Sequence, residues 1–344
     1  MAGTPRPMHA HPALPAEQAL FDPGEPAAPL LPVCDHYCGT EPRMRKALAL
    51  QASLGPVFDI TLDCEDGAPV GAEAAHAQLC ADLALSVDNR FGRVGARVHP
   101  VDHPAFGADV DTLVGRAGDR LAFLMVPKPR HLADVQQAIA RIEHAARVHG
   151  HGHALPVHVL VETHGALRDV QTIAALPRIE SLSFGLMDFV SAHRGAIPQS
   201  AMSVKGQFSH PLVVRAKLEI AAACHAHGKV PSHCVVTEFK DRRALADAAT
   251  RAAHDFGYTR MWSIHPDQIE TIVEAFAPTV AEIDDALEIL LAAQAAHWAP
   301  TRHHDTLHDR ASYRYFWHVI DRARRTGQPL PAEALARLTG TAVV

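Results

Sequence analysis

Short apolar runs rich in β-formers alternate with longer amphipathic stretches from residue 31 onward. The runs predict eight strands, over Leu31–Tyr37, Val57–Leu62, Gly95–Val98, Ala122–Val126, Val157–Val161, Ser181–Phe184, Ser232–Val236 and Met261–Ile264. The stretches between them read as helices. In His131–His149, Leu132, Val135, Ile139 and Ile142 recur at helical spacing and draw one apolar stripe. Strand–helix units of roughly 30 residues imply a parallel sheet. Eight such units match an α/β (β/α)8 TIM barrel in number and length. An open doubly wound sheet is the rival, but no GxGxxG or GxxxxGK[ST] turn follows the first strand.

The pattern predicts three segments. Residues 1–30 carry seven prolines, at 5, 7, 12, 15, 23, 26 and 29, and read as an extended arm without a regular helix or central strand. Residues 31–298 form the barrel domain. Its last helices are Asp267–Phe276, stopped by Pro278, and one that starts at Thr279 with Glu282 as a capping box and runs to about Trp298. Residues 299–344 form a helical extension. There Tyr313, Phe316, Trp317 and Ile320 share one helix face, which must be buried against the barrel or a neighbouring subunit.

Composition narrows the function. A net charge of −6 disfavours nucleic acid and anionic lipid as partners. No stretch of about 20 apolar residues is present to span a bilayer, and no secretory signal pattern opens the chain. The six cysteines form no CxxC pair and read as free thiols, so the protein is expected to be soluble and cytoplasmic. Most of the 25 histidines read as solvated surface residues, and none have zinc-finger spacing.

In a barrel of this kind the active site forms at the C-terminal strand ends. Strand two ends in Asp63-Cys64-Glu65-Asp66-Gly67, strand three carries Arg97 and His99, and strand four ends at Lys128 between two prolines. Strand five delivers Glu162, strand six Asp188, and strand eight His265. Glu162 and Asp188 each follow a buried run. Two carboxylates in one recess repel unless a cation or proton intervenes. Without His or Cys beside them they favour Mg²⁺, or Mn²⁺, over Zn²⁺. The alternative is an ordinary ion pair for each at the rim. Arg97, inside an apolar strand, must find an anion: a substrate carboxylate, or Glu65 or Asp66. Lys128 holds a phosphate or carboxylate of the substrate, or pairs with the Asp63–Asp66 cluster. His265-Pro266 reads as a structural turn. Asp35 and His36 are ambiguous.

Together, LDCEDGAP at 62–69, ARVHP at 96–100, VPK at 126–128, VETHGAL at 161–167, FGLMDF at 184–189, and FGYTRMWSIHPDQI at 256–269 with FAP at 276–278 resemble the citrate lyase β-subunit-like branch of the HpcH/HpaI aldolases. Within it, malyl-CoA and citramalyl-CoA lyases are the most similar. The resemblance implies a carbon–carbon lyase with Mg²⁺ on Glu162 and Asp188, Arg97 on the carboxylate of an oxo-acid, acyl-CoA substrates, and a homo-oligomer such as a trimer or hexamer. It also implies an acid/base Asp in the C-terminal tail that closes over a neighbouring subunit's site, and Asp309 lies where it is expected. Asp63 is the other candidate base. Three departures bear on the substrate: Pro32-Val33-Cys34-Asp35 stands where an Arg-Ser or Arg-Arg pair is frequent, His99 replaces a usual Asn, and the 189–211 loop is long. Two rival readings are a CoA-independent aldolase of 2-oxo acids and a citrate lyase β component or non-catalytic scaffold.

Overall fold

A computed structural model describes residues 14–25 and 29–341 of the chain, and it divides them into two units. The larger, residues 27–276, holds a closed barrel of eight parallel strands in sequence order. The strands are β1 (Cys34–Cys38), β2 (Phe58–Asp63), β3 (Val94–Arg97), β4 (Leu124–Val126), β5 (Val157–Val161), β6 (Ile179–Phe184), β7 (Val230–His233) and β8 (Arg260–Ser263). Each overlaps a run read from the sequence. β1 pairs with β8, Cys34 opposite Met261, and this closes the cylinder. Nearly every strand residue is buried, as both faces of a parallel barrel strand are covered by side chains within and helices without.

Charge is also used inside the barrel, which settles the two ambiguous residues of β1. The fully buried Arg260 guanidinium pairs with Asp35 at 3.0 Å and with Asp59. Thr61 donates to Asp35 at 2.7 Å. His36 Nδ1 is 2.7 Å from the Ser263 hydroxyl, and burial pushes its pKa down to about 4. Asp35 and His36 are therefore structural.

The smaller unit comprises residues 1–26 and 277–344, of which 14–25 and 277–341 are described. Three expectations are corrected here. The proline-rich N-terminal segment contains a short helix, Ala16–Leu20, starting after Pro15 in its longest stretch without proline. Residues 1–13 and 26–28 of that arm lie outside the described residues. The helix that begins at Thr279, whose capping box is present, ends at Ala295. His297 and Trp298 then take positive φ, 52° and 64°, which a helix cannot continue through. This helix belongs with the C-terminal segment, not the barrel, because Ile283, Leu287 and Leu290 pack with Tyr313, Trp317 and Ile320 in one core. The aromatic stripe of helix Arg310–Arg325 thus finds its cover within its own unit, with Ala16, Leu20 and Leu338. Phe316 remains half-buried.

One element was not foreseen. β9 (Thr301–His303) and β10 (Thr306–His308) form an antiparallel hairpin whose two turn residues, His304 and Asp305, both have positive φ. That is the turn chemistry a two-residue hairpin needs. All six cysteines are free and buried. No helix among the described residues is long and apolar enough to cross a membrane.

Candidate active site

The strand-end residues converge through Arg97, the last residue of β3. Its Nε and Nη2 donate to the two oxygens of Asp63 at 2.6 and 2.9 Å, a two-pronged bond. Its Nη2 also reaches the Tyr37 hydroxyl, and its Nη1 lies 3.1 Å from Glu65 Oε2. The guanidinium sits over the Tyr37 ring, 4.7 Å from the centroid, and Trp262 stacks on that same ring at 5.7 Å. Arg97 thus takes the structural alternative read from the sequence, a bridge to Glu65, and adds a stronger one to Asp63.

Asp63 is fully engaged. Besides Arg97, it accepts from the Tyr37 hydroxyl, from Gly67 N–H at 2.6 Å and from Glu65 N–H at 3.0 Å. Burial pushes its pKa up, but the Arg97 charge and hydrogen bonds outweigh that and hold it below the usual carboxylate range. A carboxylate so saturated and so acidic is a poor proton acceptor. Through these bonds Asp63 holds the Arg97 guanidinium in place. Gly67 makes the arrangement sterically feasible, since a Cβ there would stand 2.4 Å from the Tyr37 hydroxyl.

Lys128 ties the second half of the site together. It has φ +50° between two prolines, a conformation that costs a non-glycine residue on the order of 1–3 kcal/mol. The turn aims its backbone N–H at Glu162 Oε1, 2.8 Å away. Its ammonium donates to Glu65 at 2.6 Å and Asp66 at 2.7 Å, and lies 3.8 Å from Asp188 Oδ1. Lys128 thus pairs with the strand-two cluster, one of its two sequence readings.

Glu162, at the end of β5, is 2% exposed. Burial first, and the nearby Asp188 charge second, push its pKa well above the usual range. Only Oε1 accepts a hydrogen bond among the described residues. Oε2 lies against Gly185, where a Cβ would come within 2.2 Å of it. Asp188, three residues on, stands in the first turn of helix Leu186–Ser191 with its side chain 45% exposed. Five carboxylates (Asp63, Glu65, Asp66, Glu162 and Asp188) therefore gather around two cations, Arg97 and Lys128. The excess of negative charge, the hard oxygen donors and the half-used Glu162 carboxylate fit a divalent cation held by Glu162 and Asp188.

Gly185 offers a direct test of that cradle. In Gly185→Ala the methyl group must displace the Glu162 carboxylate. Mg²⁺ affinity measured by calorimetry is expected to fall about 10–100-fold, the usual penalty for disturbing a ligand's support.

The other sequence candidates take other roles. His265 stacks on Phe239 at 5.2 Å and its Nδ1 accepts from Asp267 N–H, as a structural turn does. His99 bonds to Asp109, with Nδ1 2.6 Å from Oδ2. Asp309 belongs to the smaller unit, where its Oδ1 caps helix Arg310–Arg325 by accepting from Ala311 and Ser312. Sequence reasoning missed Tyr37 and Gly185. Tyr37 could have been found by reading the end of β1 as the other strand ends were read.

Comparison with known proteins gives the family. The family model for HpcH/HpaI aldolase/citrate lyase matches residues 44–266. The chain is 31% identical over 285 residues to L-malyl-CoA/beta-methylmalyl-CoA lyase of Cereibacter sphaeroides, covering 79% of this chain and 87% of that one. It is 27% identical over 246 residues to malyl-CoA/beta-methylmalyl-CoA/citramalyl-CoA lyase of Chloroflexus aurantiacus, covering 66% and 69%. Among solved structures, a citrate lyase from Burkholderia xenovorans LB400 superposes with a TM-score of 0.82 at 58% identity, over 94% of this chain and 99% of that one. Protein CitE of Mycobacterium tuberculosis, solved with magnesium, acetoacetate and coenzyme A, shares the fold: TM-score 0.65, 20% identity, 87% and 99% covered. The chain belongs to the HpcH/HpaI aldolase/citrate lyase family, which makes it a carbon–carbon lyase.

Proposed function

We propose that the protein cleaves, or in reverse forms, a β-hydroxyacyl-CoA such as malyl-CoA or citramalyl-CoA, giving a 2-oxo acid and an acyl-CoA, with Mg²⁺ held by Glu162 and Asp188. The observation that carries this reading is the buried Glu162 carboxylate, half-satisfied and facing Asp188 in a site with surplus negative charge. The names of its lyase relatives support the CoA thioester.

When bound, the cation supplies a Lewis acid to the oxygen that becomes the oxo group. Lys128 N–H and the Gly185 backbone hold the Glu162 carboxylate in place for it. Arg97, locked by Asp63 and Tyr37, turns Nη1 to the substrate carboxylate in place of Glu65, which keeps Lys128 as its partner. Cleavage moves the hydroxyl proton to a base and the carbon–carbon electron pair into the thioester enolate. The oxo-acid departs and the enolate takes one proton. With Asp63 saturated, the acid/base role falls to Asp309, whose cap uses Oδ1 and leaves Oδ2 for a proton. As in the resemblance, it would act from a neighbouring subunit of a homo-oligomer.

The test is an assay of the purified chain with malyl-CoA and citramalyl-CoA, following glyoxylate or pyruvate release with Mg²⁺ and with chelator. Turnover that needs the divalent cation and is lost in Asp188→Ala is the expected result. Turnover of pyruvate with free aldehydes but of neither thioester would replace this reading with a CoA-independent aldolase.

A further inference from the structure

The smaller unit carries a second group of metal-ligating side chains that the lyase reaction does not use. Asp285 lies on helix Val280–Ala295, and His303 and His304 lie at the end of β9 and in the hairpin turn. One ligand atom from each of these three falls within 4.8 Å of the others. His303 Nε2 stands 3.8 Å from Asp285 Oδ1 and 3.9 Å from Glu288 Oε2. Asp285 and Glu288 are three apart on one helix, so their carboxylates share a face.

Those distances are too long for hydrogen bonds, and the buried Nε2 of His303 has no hydrogen-bond partner among the described residues. They are close to what a bound ion sets: two ligands each about 2.0–2.1 Å from a tetrahedral zinc lie about 3.4 Å apart. A second, independent observation points the same way. His308, on β10, is 8% exposed, and its buried Nδ1 also lacks a hydrogen-bond partner among the described residues. It lines the same cavity of about 340 Å³ as Asp285, His303, His304 and Thr306.

We infer that Asp285, His303 and His304 form a site for a borderline-soft divalent transition ion of the zinc class, with Glu288 beside His303. The donor set selects it. Two imidazoles with carboxylates suit Zn²⁺, Co²⁺ or Ni²⁺, whereas Mg²⁺ prefers oxygen alone. The site joins the β9–β10 hairpin to helix Val280–Ala295 and is separate in chemistry from the all-oxygen pair Glu162 and Asp188. Its occupancy would tie the hairpin turn to that helix.

The experiment is a titration of the full, metal-stripped chain with ZnCl₂ by calorimetry, in excess Mg²⁺ to occupy the carboxylate pair. Wild type and Asp188→Ala are both expected to bind one Zn²⁺ with Kd of about 10 μM or tighter. His304→Ala, at an exposed turn position, and Asp285→Asn, on an exposed helix face, are expected to weaken binding at least about tenfold with an unchanged far-UV spectrum. Co²⁺ added to wild type should give the visible absorption of a tetrahedral ion, and His304→Ala should lose it. Zn²⁺ binding unchanged in both His304→Ala and Asp285→Asn, binding lost in Asp188→Ala instead, or no binding by wild type would each overturn the assignment.

Discussion

Replacing Glu162 by glutamine is expected to lower kcat/KM at least about a hundredfold and, at the same time, to raise the melting temperature of the chelator-treated protein near neutral pH. On the proposed reading, the activity loss follows from removing one of the two carboxylates that would hold the cation facing the developing oxyanion, where a single lost electrostatic donor costs about 10²–10³ in rate. The stability gain follows from linkage. Burial, then the Asp188 charge, raise the Glu162 pKa in the folded chain. In the unfolded chain it loses its proton near the ordinary value of about 4.3. Between those two values the folded state binds more protons than the unfolded state. Stability therefore declines as pH rises through the window from the ordinary glutamate value up to the raised one. Above the window the ionised Glu162 penalises the fold in full, and glutamine removes the penalty while its amide oxygen still accepts Lys128 N–H. With Mg²⁺ present, wild type should gain melting temperature and the variant should not. A lower melting temperature for Glu162→Gln in chelator would show that Glu162 is an ordinary stabilising partner of Lys128, and the metal assignment would fail with it.

The second large effect is expected at Arg97. Arg97→Ala strips the two-pronged partner from Asp63 and the 3.1 Å partner from Glu65, side chains exposed by only 0% and 6%. Breaking one side of a buried ion pair costs about 3–5 kcal/mol, because the remaining charge stays buried. Urea unfolding should register that loss, and kcat/KM should fall at least about a hundredfold in the fraction that stays folded. Arg97→Lys returns the charge without the planar fork, so it should recover part of the stability and little of the activity. Asp63→Asn combined with Arg97→Ala should be more stable than Arg97→Ala alone, since the stranded anion is gone. A variant Arg97→Ala with wild-type stability and only a raised KM would make Arg97 a plain substrate ligand and Asp63 irrelevant to it.

Reading the strand ends in order found most of the cluster, because a parallel barrel puts every strand's C-terminal residue on one rim. Asp63, Arg97, Lys128, Glu162 and Asp188 were all legible that way. What they do to each other was not. Whether Arg97 points to Asp63 or to open space is a rotamer choice, and the sequence offered Glu65 and Asp66 as equal partners. Tyr37 was passed over because β1 showed no charged terminus to draw attention. Gly185 matters only for the side chain that leans on it from another strand. Asp35 stayed ambiguous in the sequence until Arg260, at the far end of the chain's barrel segment, proved to be its partner.

The sequence by itself determined the eight-stranded parallel barrel and the family, because strand–helix periodicity and a set of short ordered motifs are local properties of the chain. Tertiary structure alone decided the roles within the rim. It saturated Asp63, left one oxygen of Glu162 open, and gathered Asp285 with His303 and His304 on a hairpin that no periodicity announced. It also moved the helix after Pro278 out of the barrel unit, since its apolar face is met by Tyr313 and Trp317. Those outcomes depend on which side chains from distant segments reach one another and on whether water is excluded between them, and neither is written in any local run of residues.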